Sequence, residues 1–310
     1  MKILVTGGAG YIGSVAAHEL LQNGHQVVVI DNLSKGLKKL VPEKAAFYNY
    51  DLTDSRISEV MKDQDAVMHF AAYKAAGESM HDAPKYSHNI RGTINLLDAM
   101  VHAGVKRMIY SSSAAVYGIP ETKKVDESAA LNPINYYGYT KLACEDLIRW
   151  YGQIHGISYV AFRYFNVAGD GGLKYIDPNA ENILPLIMEV VTKKRDKLTV
   201  FGDDYDTRDG TGLRDYIHVS DLARAHMMAL DLKGNHMINL GSESGTTVME
   251  LIRMTEEITG KSVAYEIGPR REGDPASLVA STKKAGSIGF KPEYGIREMV
   301  KSTYEAYTWN

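Results

Sequence analysis

The sequence contains a single cysteine, Cys144, in 310 residues. This excludes an internal disulfide framework and a zinc or iron–sulfur site built from several cysteines. The ten histidines show no paired spacing of the His-Glu-x-x-His kind, so we predict no metal site. No run approaches the ~20 apolar residues that a membrane-spanning helix needs. Lys and Arg number 35 against 38 Asp and Glu, and the net charge of −3 offers no long-range attraction to nucleic acid or an anionic membrane.

The composition is that of an ordinary globular protein. Hydrophobic residues make up 45% of the chain and charged residues 24%, which argues against disorder. At ~150 residues per domain, the length predicts about two domains. The apolar run 3–5 near the N-terminus is followed by glycines and is too short for the core of a signal peptide. We therefore expect a soluble, cytoplasmic protein.

Short apolar runs alternate with amphipathic stretches through the first half of the chain. The predicted strands are residues 2–6, 26–30, 46–50, 66–70, 107–111 and 159–162. The predicted helices are residues 14–23, 54–62, 85–103 and 136–155. Several strands are continuous Val, Ile and Leu runs, which is typical of strands covered by helices on both faces. Repeated βα units predict an α/β fold with a doubly wound, Rossmann-like parallel sheet.

This regular alternation weakens after about residue 165. Segments 169–182 and 202–213 are rich in Gly and Asp and are predicted to be long loops, which are usually functional in compact domains. Shorter elements follow, with helices predicted at 185–193, 220–230 and 248–259 and strands at 237–240 and 263–267. We predict one domain over residues 1–165, with later segments returning to its sheet, and a smaller C-terminal substrate-binding lobe over 166–310.

A glycine-rich turn joins the first predicted strand to the first helix. Gly7, Gly10 and Gly13 are spaced Gly-x-x-Gly-x-x-Gly, which allows a tight turn and close approach of the backbone to a pyrophosphate at the helix N-terminus. Asp31 ends the next strand, where its carboxylate can accept hydrogen bonds from ribose hydroxyls and would repel a 2′-phosphate. Lys35 softens that repulsion. The pattern predicts a dinucleotide site that favours NAD over NADP.

A second motif consists of Tyr137 and Lys141, which lie one turn apart on a predicted helix and therefore share a face. A phenol has an unperturbed pKa of about 10, so it is a poor base at neutral pH. A neighbouring ammonium, together with a positive nicotinamide ring, would lower that pKa. The serine run 111–113 precedes this pair by about 25 residues and ends a predicted strand, where ligands bind in such sheets. We predict a catalytic group made of Tyr137, Lys141 and Ser113.

The glycine spacing, Tyr137-x-x-x-Lys141 and the serine run together resemble the extended short-chain dehydrogenase/reductase family. The resemblance implies that residues 1–165 bind NAD and that Ser113 carries the catalytic hydroxyl. It places Asp51 and Leu52 beside the adenine and Asn89 in support of the active site. The cofactor-binding residues that we expect are Gly7, Gly10, Tyr11, Ile12, Gly13, Asp31, Asn32, Leu33, Ser34, Lys35, Gly36, Asp51, Leu52, Phe70, Ala71, Ala72, Lys74, Asn89, Ser111, Tyr137, Lys141, Tyr164 and Phe165.

Longer motifs narrow the resemblance to the UDP-glucose 4-epimerases. They are residues 69–79 (HFAAYKAAGES), 111–118 (SSSAAVYG), 163–166 (RYFN), 212–219 (GLRDYIHV) and 269–274 (PRREGD), and the match runs nearly end to end. The resemblance implies that Tyr137 removes the proton of the sugar 4-hydroxyl while the 4-hydride passes to tightly bound NAD. The 4-keto sugar then rotates and takes the hydride back on its other face, which interconverts UDP-glucose and UDP-galactose.

The same resemblance implies a nucleotide-sugar site, mainly in residues 166–310. Arg214 and Arg271 suit the diphosphate, because guanidinium groups bind phosphate oxygens bidentately. The substrate-binding residues that we expect are Lys74, Ser113, Tyr137, Asn166, Asn182, Ile183, Thr199, Val200, Phe201, Arg214, Arg271, Asp274 and Leu278. The family's habit also implies a homodimer built on the helices predicted at 85–103 and 136–155.

Two positions depart from the family's pattern. Ala115 stands where the family commonly has Thr, so one hydroxyl near the sugar is missing. Leu278 stands where a bulky Tyr closes the sugar pocket in some members. Since Leu is intermediate in size, UDP-GlcNAc and UDP-GalNAc stay open as additional substrates.

Three alternatives to the 4-epimerase reaction on UDP-glucose differ from it in the residues that they require. A nucleotide-sugar 4,6-dehydratase uses an Asp-Glu pair after its active-site hydroxyl, and Ala114 and Ala115 stand there instead. A 4-epimerase of another UDP-sugar, a pentose or a uronate, stays open because the motifs do not fix the C6 substituent. A non-catalytic NAD-binding regulator typically loses the Tyr/Lys pair, which this chain keeps.

Overall fold

The computed structural model describes residues 1–178, 180–271 and 273–309. Asn179 of the first predicted loop, Glu272 of the 269–274 motif and the last residue of the predicted C-terminal lobe lie outside the described residues. No helix in the described part of the chain combines the length and apolar character that a membrane crossing would require.

The strands and helices alternate in chain order through the first half. The strands are β1 (Lys2–Thr6), β2 (Gln26–Ile30), β3 (Ala46–Tyr48), β4 (Ala66–His69), β5 (Arg107–Ser111), β6 (Lys124–Val125), β7 (Ser158–Tyr164), β8 (Asn166–Ala168), β9 (Leu198–Phe201), β10 (Leu213–Arg214), β11 (Tyr216–His218), β12 (His236–Leu240), β13 (Thr246–Thr247), β14 (Tyr265–Gly268) and β15 (Ser277–Ala280). The α-helices are α1 (Tyr11–Gln22), α2 (Ile57–Val60), α3 (Ala76–Ser79), α4 (Ala83–Ala103), α5 (Tyr136–His155), α6 (Ile183–Val191), α7 (Val219–Met228), α8 (Val248–Thr259), α9 (Lys283–Ser287) and α10 (Ile296–Thr308).

Seven strands of the described residues form the central sheet, in the order β12-β7-β5-β4-β1-β2-β3. The pairs from β7 to β3 run parallel, and Leu4 of β1 lies in register between Val28 of β2 and Val67 of β4. The direction of winding changes at β1, because β2 and β3 lie on one side of it and β4 on the other. Ligands of such sheets bind at the carboxyl ends of the strands beside this change. The predicted doubly wound parallel sheet is confirmed.

The chain divides into two compact units. The first comprises Met1–Gly118, Leu131–Arg163 and Ala223–Ile238. The second comprises Ile119–Ala130, Tyr164–Leu222 and Asn239–Asn310, of which Asn179, Glu272 and Asn310 are not described. The domain boundary that the sequence predicts at residue 165 stays a prediction.

The core of the first unit forms where helices cover the central sheet. Leu4 of β1, Leu96 of α4 and Ile148 of α5 are fully buried in one apolar cluster. Continuous apolar strands are expected in this position because both faces of the sheet are removed from water. At about 25 cal/mol per Å² of apolar surface, this burial is the main stabilising contribution of the unit.

The long helices α4 and α5 have well-defined ends. Asp82 accepts a hydrogen bond from the backbone N–H of Lys85 at 3.1 Å, and Asn135 accepts one from Gly138 at 2.8 Å. Both side chains satisfy N–H groups that have no partner inside the helix. Gly104 and Gly156 then end the helices in the left-handed conformation. These caps fix where the catalytic helix α5 begins.

The second unit contains smaller sheets and its own core. Its described strands form a four-stranded sheet in the order β13-β10-β15-β6 and two pairs, β11 with β8 and β14 with β9. Helices α6, α8 and α10 contribute Ile187, Leu251 and Val300, all fully buried. Thr247 and Glu250 form a capping box that starts α8 at the predicted residue.

Helices α2 and α10 are two of the elements that differ from the sequence-based prediction. The helix predicted at 54–62 is limited to Ile57–Val60, because the Asp54 side chain accepts hydrogen bonds from the backbone and guanidinium of Arg56 and forms a turn there. Helix α10 was not predicted. Its buried residues, Met299, Val300, Ala306 and Tyr307, recur at helical spacing, so the periodicity was present in the sequence.

Candidate active site

The glycine-rich turn lies between β1 and α1, in the first unit. Gly7 has a φ of 72°, and a Cβ atom there would lie 2.7 Å from the backbone N of Ala71. A Cβ on Gly13 would lie 2.3 Å from the carbonyl oxygen of Gly7. Glycine is therefore required for the left-handed turn at residue 7 and for the close packing at residue 13. The residue before α1 is Gly10, which has no side chain to cap the helix, and the N-terminus of a helix favours an anion.

Asp31 follows β2 beside this turn. Its carboxylate accepts hydrogen bonds from the backbone N–H groups of Ala9, at 3.0 Å, and Leu33, at 2.8 Å. Burial raises the pKa of Asp31, and these two hydrogen bonds act in the opposite direction. The two N–H donors orient the carboxylate at the carboxyl end of the sheet, where the ribose of a dinucleotide binds in this fold class.

A groove in the first unit brings together thirteen of the predicted cofactor-binding residues. They are Gly7, Gly10, Asp31, Asn32, Ser34, Lys35, Gly36, Asp51, Leu52, Phe70, Ala71, Ala72 and Asn89. The glycine backbone, the Asp31 carboxylate and the apolar wall of this groove fit a dinucleotide. The sequence therefore predicted most of the lining from segments that follow four different strands.

The groove also has lining residues that the sequence-based prediction missed. They are Ile30, Tyr50, Tyr73 and His88. Each is adjacent in the chain to a residue that was predicted, so extending every predicted segment by one residue would have found them. The predicted residues that do not line this groove are Tyr11, Ile12, Gly13, Leu33, Lys74, Ser111, Tyr137, Lys141, Tyr164 and Phe165, and the last two belong to the second unit.

Tyr137, Lys141 and Ser113 lie close together in the first unit. Lys141 Nζ donates a hydrogen bond to the carbonyl oxygen of Ser111 at 2.7 Å and lies 6.0 Å from the centroid of the Tyr137 ring. The Ser113 side chain is close enough to the Tyr137 phenol to act on its pKa. Helix α5 supplies the Tyr and Lys from one face, and the end of β5 supplies the serine.

Burial controls the ionisation of this group. The pKa of Tyr137 is raised by burial of the phenol, and the Ser113 side chain acts in the opposite direction. Burial lowers the pKa of Lys141 to about 8, while Cys144 and Glu145 act to raise it. The sequence predicts that the ammonium, with a nicotinamide, lowers the phenol pKa. Among the protein's own groups, burial has the larger effect on the pKa of Tyr137, because charged forms are disfavoured in the interior.

A buried ionic cluster surrounds this group and was not predicted. Glu145, one turn after Lys141 on α5, pairs with Arg163 of β7 and accepts a hydrogen bond from Ser112 Oγ. Arg163 Nη1 also donates to the Tyr117 hydroxyl at 3.1 Å. The spacing of four residues from Lys141 was a signal in the sequence, since it places Glu145 on the catalytic face of the helix. Cys144, beside it, donates to Thr93 Oγ1 at 3.2 Å and packs in the core.

The predicted nucleotide-sugar residues of the second unit include two that pair with each other. Arg214 of β10 lies 3.7 Å from the Asp274 carboxylate, and the Arg271 guanidinium lies 3.8 Å from the centroid of the Phe201 ring. Leu278 of β15 lies in register opposite Arg214. Both arginines can therefore present guanidinium groups to an anion.

The other predicted substrate residues of this unit have varied surroundings. Asn166 Nδ2 donates to the carbonyl oxygen of Asp215 at 3.0 Å, and Thr199 Oγ1 lies 3.4 Å from the Glu266 carboxylate. Asn182 precedes α6, which begins at Ile183. The Val200 side chain is buried in the core of the unit.

Comparisons with known proteins assign this site to a class. Residues 3–241 match the NAD dependent epimerase/dehydratase family. The chain belongs to this family, and the glycine turn, Asp31 and the Tyr137/Lys141 pair are the residues of the site that fit an NAD-dependent enzyme.

Within that family the chain is similar to UDP-glucose 4-epimerases over its whole length. It is 44% identical to the UDP-glucose 4-epimerase of Lactobacillus helveticus, with 100% of this chain and 97% of the relative covered. A crystal structure of UDP-glucose 4-epimerase from Brucella ovis in complex with NAD matches with a TM-score of 0.95 and 39% identity, covering 99% and 98% of the two chains. The enzyme from Bifidobacterium longum in complex with NAD+ and UDP matches with a TM-score of 0.94 and 36% identity, covering 99% and 98%.

Proposed function

We propose that this protein is an NAD-dependent isomerase that interconverts UDP-glucose and UDP-galactose by inverting C4 of the hexose. The observation that carries the proposal is the half-buried Tyr137, whose phenol is close enough to the Ser113 side chain for its pKa to be lowered by it and which lies one helical turn from Lys141. Similarity to UDP-glucose 4-epimerases over the full chain supports the substrate. Ala114 and Ala115 follow Ser113 and carry no acid or base, which argues against elimination of water as in a 4,6-dehydratase.

The first unit holds the cofactor in this proposal. The glycine turn and the N-terminus of α1 bind the pyrophosphate, and Asp31 accepts hydrogen bonds from the adenosine ribose. When bound, NAD supplies a hydride acceptor that becomes the donor in the return step, and a positive charge near the phenol. That charge offsets the effect of burial on the pKa of Tyr137 and brings the phenolate towards neutral pH.

The reaction then follows from the positions of the side chains. Tyr137 accepts the proton of the sugar 4-hydroxyl as C4 is oxidised, and Ser113 donates a hydrogen bond to the same oxygen. The 4-keto sugar turns about its bond to the diphosphate and presents its other face. Tyr137 returns the proton when C4 is reduced, so protons and electrons balance over one cycle. Lys141 holds the phenolate by its charge.

The second unit holds the nucleotide in this proposal. Arg214 and Arg271 bind the diphosphate, Phe201 and the backbone of Val200 contact the uracil, and Asp274 accepts from the ribose. Asn166, Asn182, Ile183 and Thr199 complete the sugar-nucleotide residues of this unit, and Lys74 is a residue that we propose for both ligands. A firmly held nucleotide and a loosely held hexose allow both faces of the sugar to react.

The assembly and location of the protein follow as proposals from its surface and its chemistry. Tyr139, Trp150 and Ile154 of α5 are 51%, 56% and 66% exposed. Large exposed apolar side chains on one helix favour a protein–protein interface, and we propose a homodimer formed by α4 and α5. We place the enzyme in the cytoplasm, with no nucleic-acid or membrane partner.

One assay tests the function directly. Purified protein is incubated with UDP-galactose without added coenzyme, and UDP-glucose is measured with time. Interconversion without release of reduced coenzyme supports the proposal. Net release of reduced coenzyme would indicate an ordinary dehydrogenase instead. Activity on UDP-pentoses or UDP-uronates alone would select another 4-epimerase, and NAD binding with no turnover on any UDP-sugar would select the regulator.

A further inference from the structure

The N-terminus of the catalytic helix α5 is held by a residue from a distant segment. Tyr137 is the second residue of α5, so its backbone N–H has no partner inside the helix. That N–H donates to the side-chain oxygen of Ser79 at 3.0 Å. Ser79 is 1% exposed and belongs to α3, 58 residues earlier in the chain. The helix start is therefore anchored at the residue that carries the phenol.

Ser79 is itself oriented by the segment that carries it. Its hydroxyl donates to the carbonyl oxygen of Ala76 at 2.6 Å, so its lone pairs are left for the Tyr137 N–H. Glu78, the preceding residue, accepts from Lys85 Nζ at 2.5 Å and from the Tyr86 hydroxyl at 2.9 Å, both on α4. The short helix α3 is thus held between α4 on one side and α5 on the other.

The segment before α3 is tied to α4 as well. Asn89 of α4 accepts from the backbone N–H of Tyr73 at 2.9 Å and donates to the Tyr73 carbonyl oxygen at 3.0 Å. Lys74 therefore lies between two anchored points, at Tyr73 and at Glu78. The segment from Tyr73 to Ser79 therefore supports both Lys74 and Tyr137. The residues that anchor this segment belong neither to the glycine turn nor to the Tyr/Lys pair.

We propose that Ser79 is a positioning residue for the base: its hydroxyl accepts the Tyr137 N–H and fixes the first turn of α5, which holds the phenol beside Ser113. The inference rests on the proposed function. Catalytic groups must be held within about 0.5 Å of their productive geometry, and a 1 Å displacement costs up to about 100-fold in rate. A backbone hydrogen bond at the base residue itself meets that requirement more directly than one farther along the helix.

Ser79→Ala removes the acceptor, and Ser79→Cys nearly keeps the volume but offers a weaker acceptor. We expect kcat to fall by about 10- to 100-fold in the Ala variant and by less in the Cys variant. KM for UDP-galactose and the amount of NAD retained stay within about twofold, because the variants leave the ligand-binding groups in place.

Ser87→Ala is the matched control. It removes the contact of 2.7 Å between Ser87 Oγ of α4 and the hydroxyl of Tyr136, the neighbour of the base. Its kcat stays within about twofold of the wild type.

The pH profile separates positioning from a loss of folded protein. The Ser113 side chain acts to lower the pKa of Tyr137, so moving the phenol away from Ser113 raises that pKa. The acid limb of kcat therefore moves to higher pH in Ser79→Ala. Lys141 of α5 and Tyr110 of β5 are the other titratable groups near the phenol, and both are unchanged in the variant. A loss of folded protein would lower the profile without shifting it.

Several results would overturn the proposal. A folded Ser79→Ala or Ser79→Cys variant with the kcat and pH profile of the wild type would overturn it. Failure of both variants to fold would also overturn it, since Ser79 would then be needed for folding. If the wild type lacks epimerase activity, the proposed function fails, but the positioning role is still tested by a crystal structure of Ser79→Ala. There we expect Tyr137 Oη to move away from Ser113 Oγ by more than about 0.5 Å. If the phenol does not move, only the positioning role of Ser79 is rejected.

Discussion

Glu145 of α5 and Arg163 of β7 form a bidentate ion pair inside the first unit, with Arg163 Nε 2.9 Å from Oε1 and Nη2 2.6 Å from Oε2 of the carboxylate. The side chains are 2% and 5% exposed. Because Ser112 also donates to Glu145, the pair joins the catalytic helix to the strand end that precedes Ser113. The arrangement connects the stability of the unit to the geometry of its active site.

Removing one partner of this pair should destabilise the protein strongly. Glu145→Gln leaves the Arg163 guanidinium buried without its counter-ion, which costs about 3–5 kcal/mol of unfolding free energy. Asp146→Asn is the matched control on the same helix, because Asp146 pairs with Arg149 at the surface, where both side chains are more than half exposed. That exposed pair contributes less than about 1 kcal/mol. Urea denaturation measures both, and equal losses in the two variants would contradict the prediction.

Tyr137→Phe should remove turnover while cofactor binding persists. The variant lacks the oxygen that accepts the proton of the sugar 4-hydroxyl, and general base catalysis contributes about 10²- to 10⁴-fold. Conversion of UDP-galactose is measured together with the NAD retained per chain. Tyr136→Phe, one residue earlier, is the control and keeps most of the activity. A fully active Tyr137→Phe enzyme would reject the assignment of the base.

Gly13→Ala should abolish NAD retention. The added Cβ would lie 2.3 Å from the Gly7 carbonyl oxygen and 3.1 Å from the Gly8 Cα, and these backbone atoms cannot rotate away as a flexible side chain could. Gly286→Ala is the control, since a Cβ there meets no described atom within 4 Å and Ala favours the helix α9. NAD released from the purified, heat-denatured protein is quantified per chain. A wild-type NAD content in Gly13→Ala would show that the turn tolerates a side chain.

His69 should make stability fall in acid. Burial lowers its pKa from 6.5 to about 3, with a smaller contribution from Lys141. Between these two pH values the unfolded chain binds a proton at His69 that the folded protein does not bind. The contribution of His69 to the free energy of unfolding is therefore fully present above pH 6.5 and is lost as the pH falls towards 3. His69→Gln should flatten the slope in that window, whereas the exposed His102→Gln should not. Identical slopes for all three proteins would contradict the assignment.

Leu278→Tyr should narrow the sugar pocket. A larger side chain at this position of β15 leaves less space for an N-acetyl group, so the rate on UDP-GalNAc relative to UDP-galactose should fall by about tenfold or more. Leu278→Met changes the volume little and serves as the control. Relative kcat/KM values for the two substrates measure the effect. An unchanged ratio in Leu278→Tyr would show that Leu278 does not face the sugar.

The predictability of the fold differed between the two halves of the chain. Strands β1, β2 and β5 and helix α5 have the predicted bounds, because their hydrophobic periods and caps are local properties of the sequence. Helix α10 and strands of two or three residues, such as β8 and β10, were not predicted. Such short strands form because a neighbouring strand is present, and a neighbour distant in the chain leaves no local pattern.

The sequence by itself determined the groups whose chemistry depends on local spacing: the three glycines with Asp31, and Tyr137 with Lys141 on one helical face. Tertiary structure alone decided that the Ser79 hydroxyl accepts a hydrogen bond from the Tyr137 N–H and that Glu145 and Arg163 form an ion pair. It also decided that burial raises the pKa of the Tyr137 phenol. The reason is that packing creates the hydrogen bonds between distant segments and removes the buried groups from water. The residues that packing brings together are far apart in the chain, so no periodic pattern in the sequence indicates that they meet.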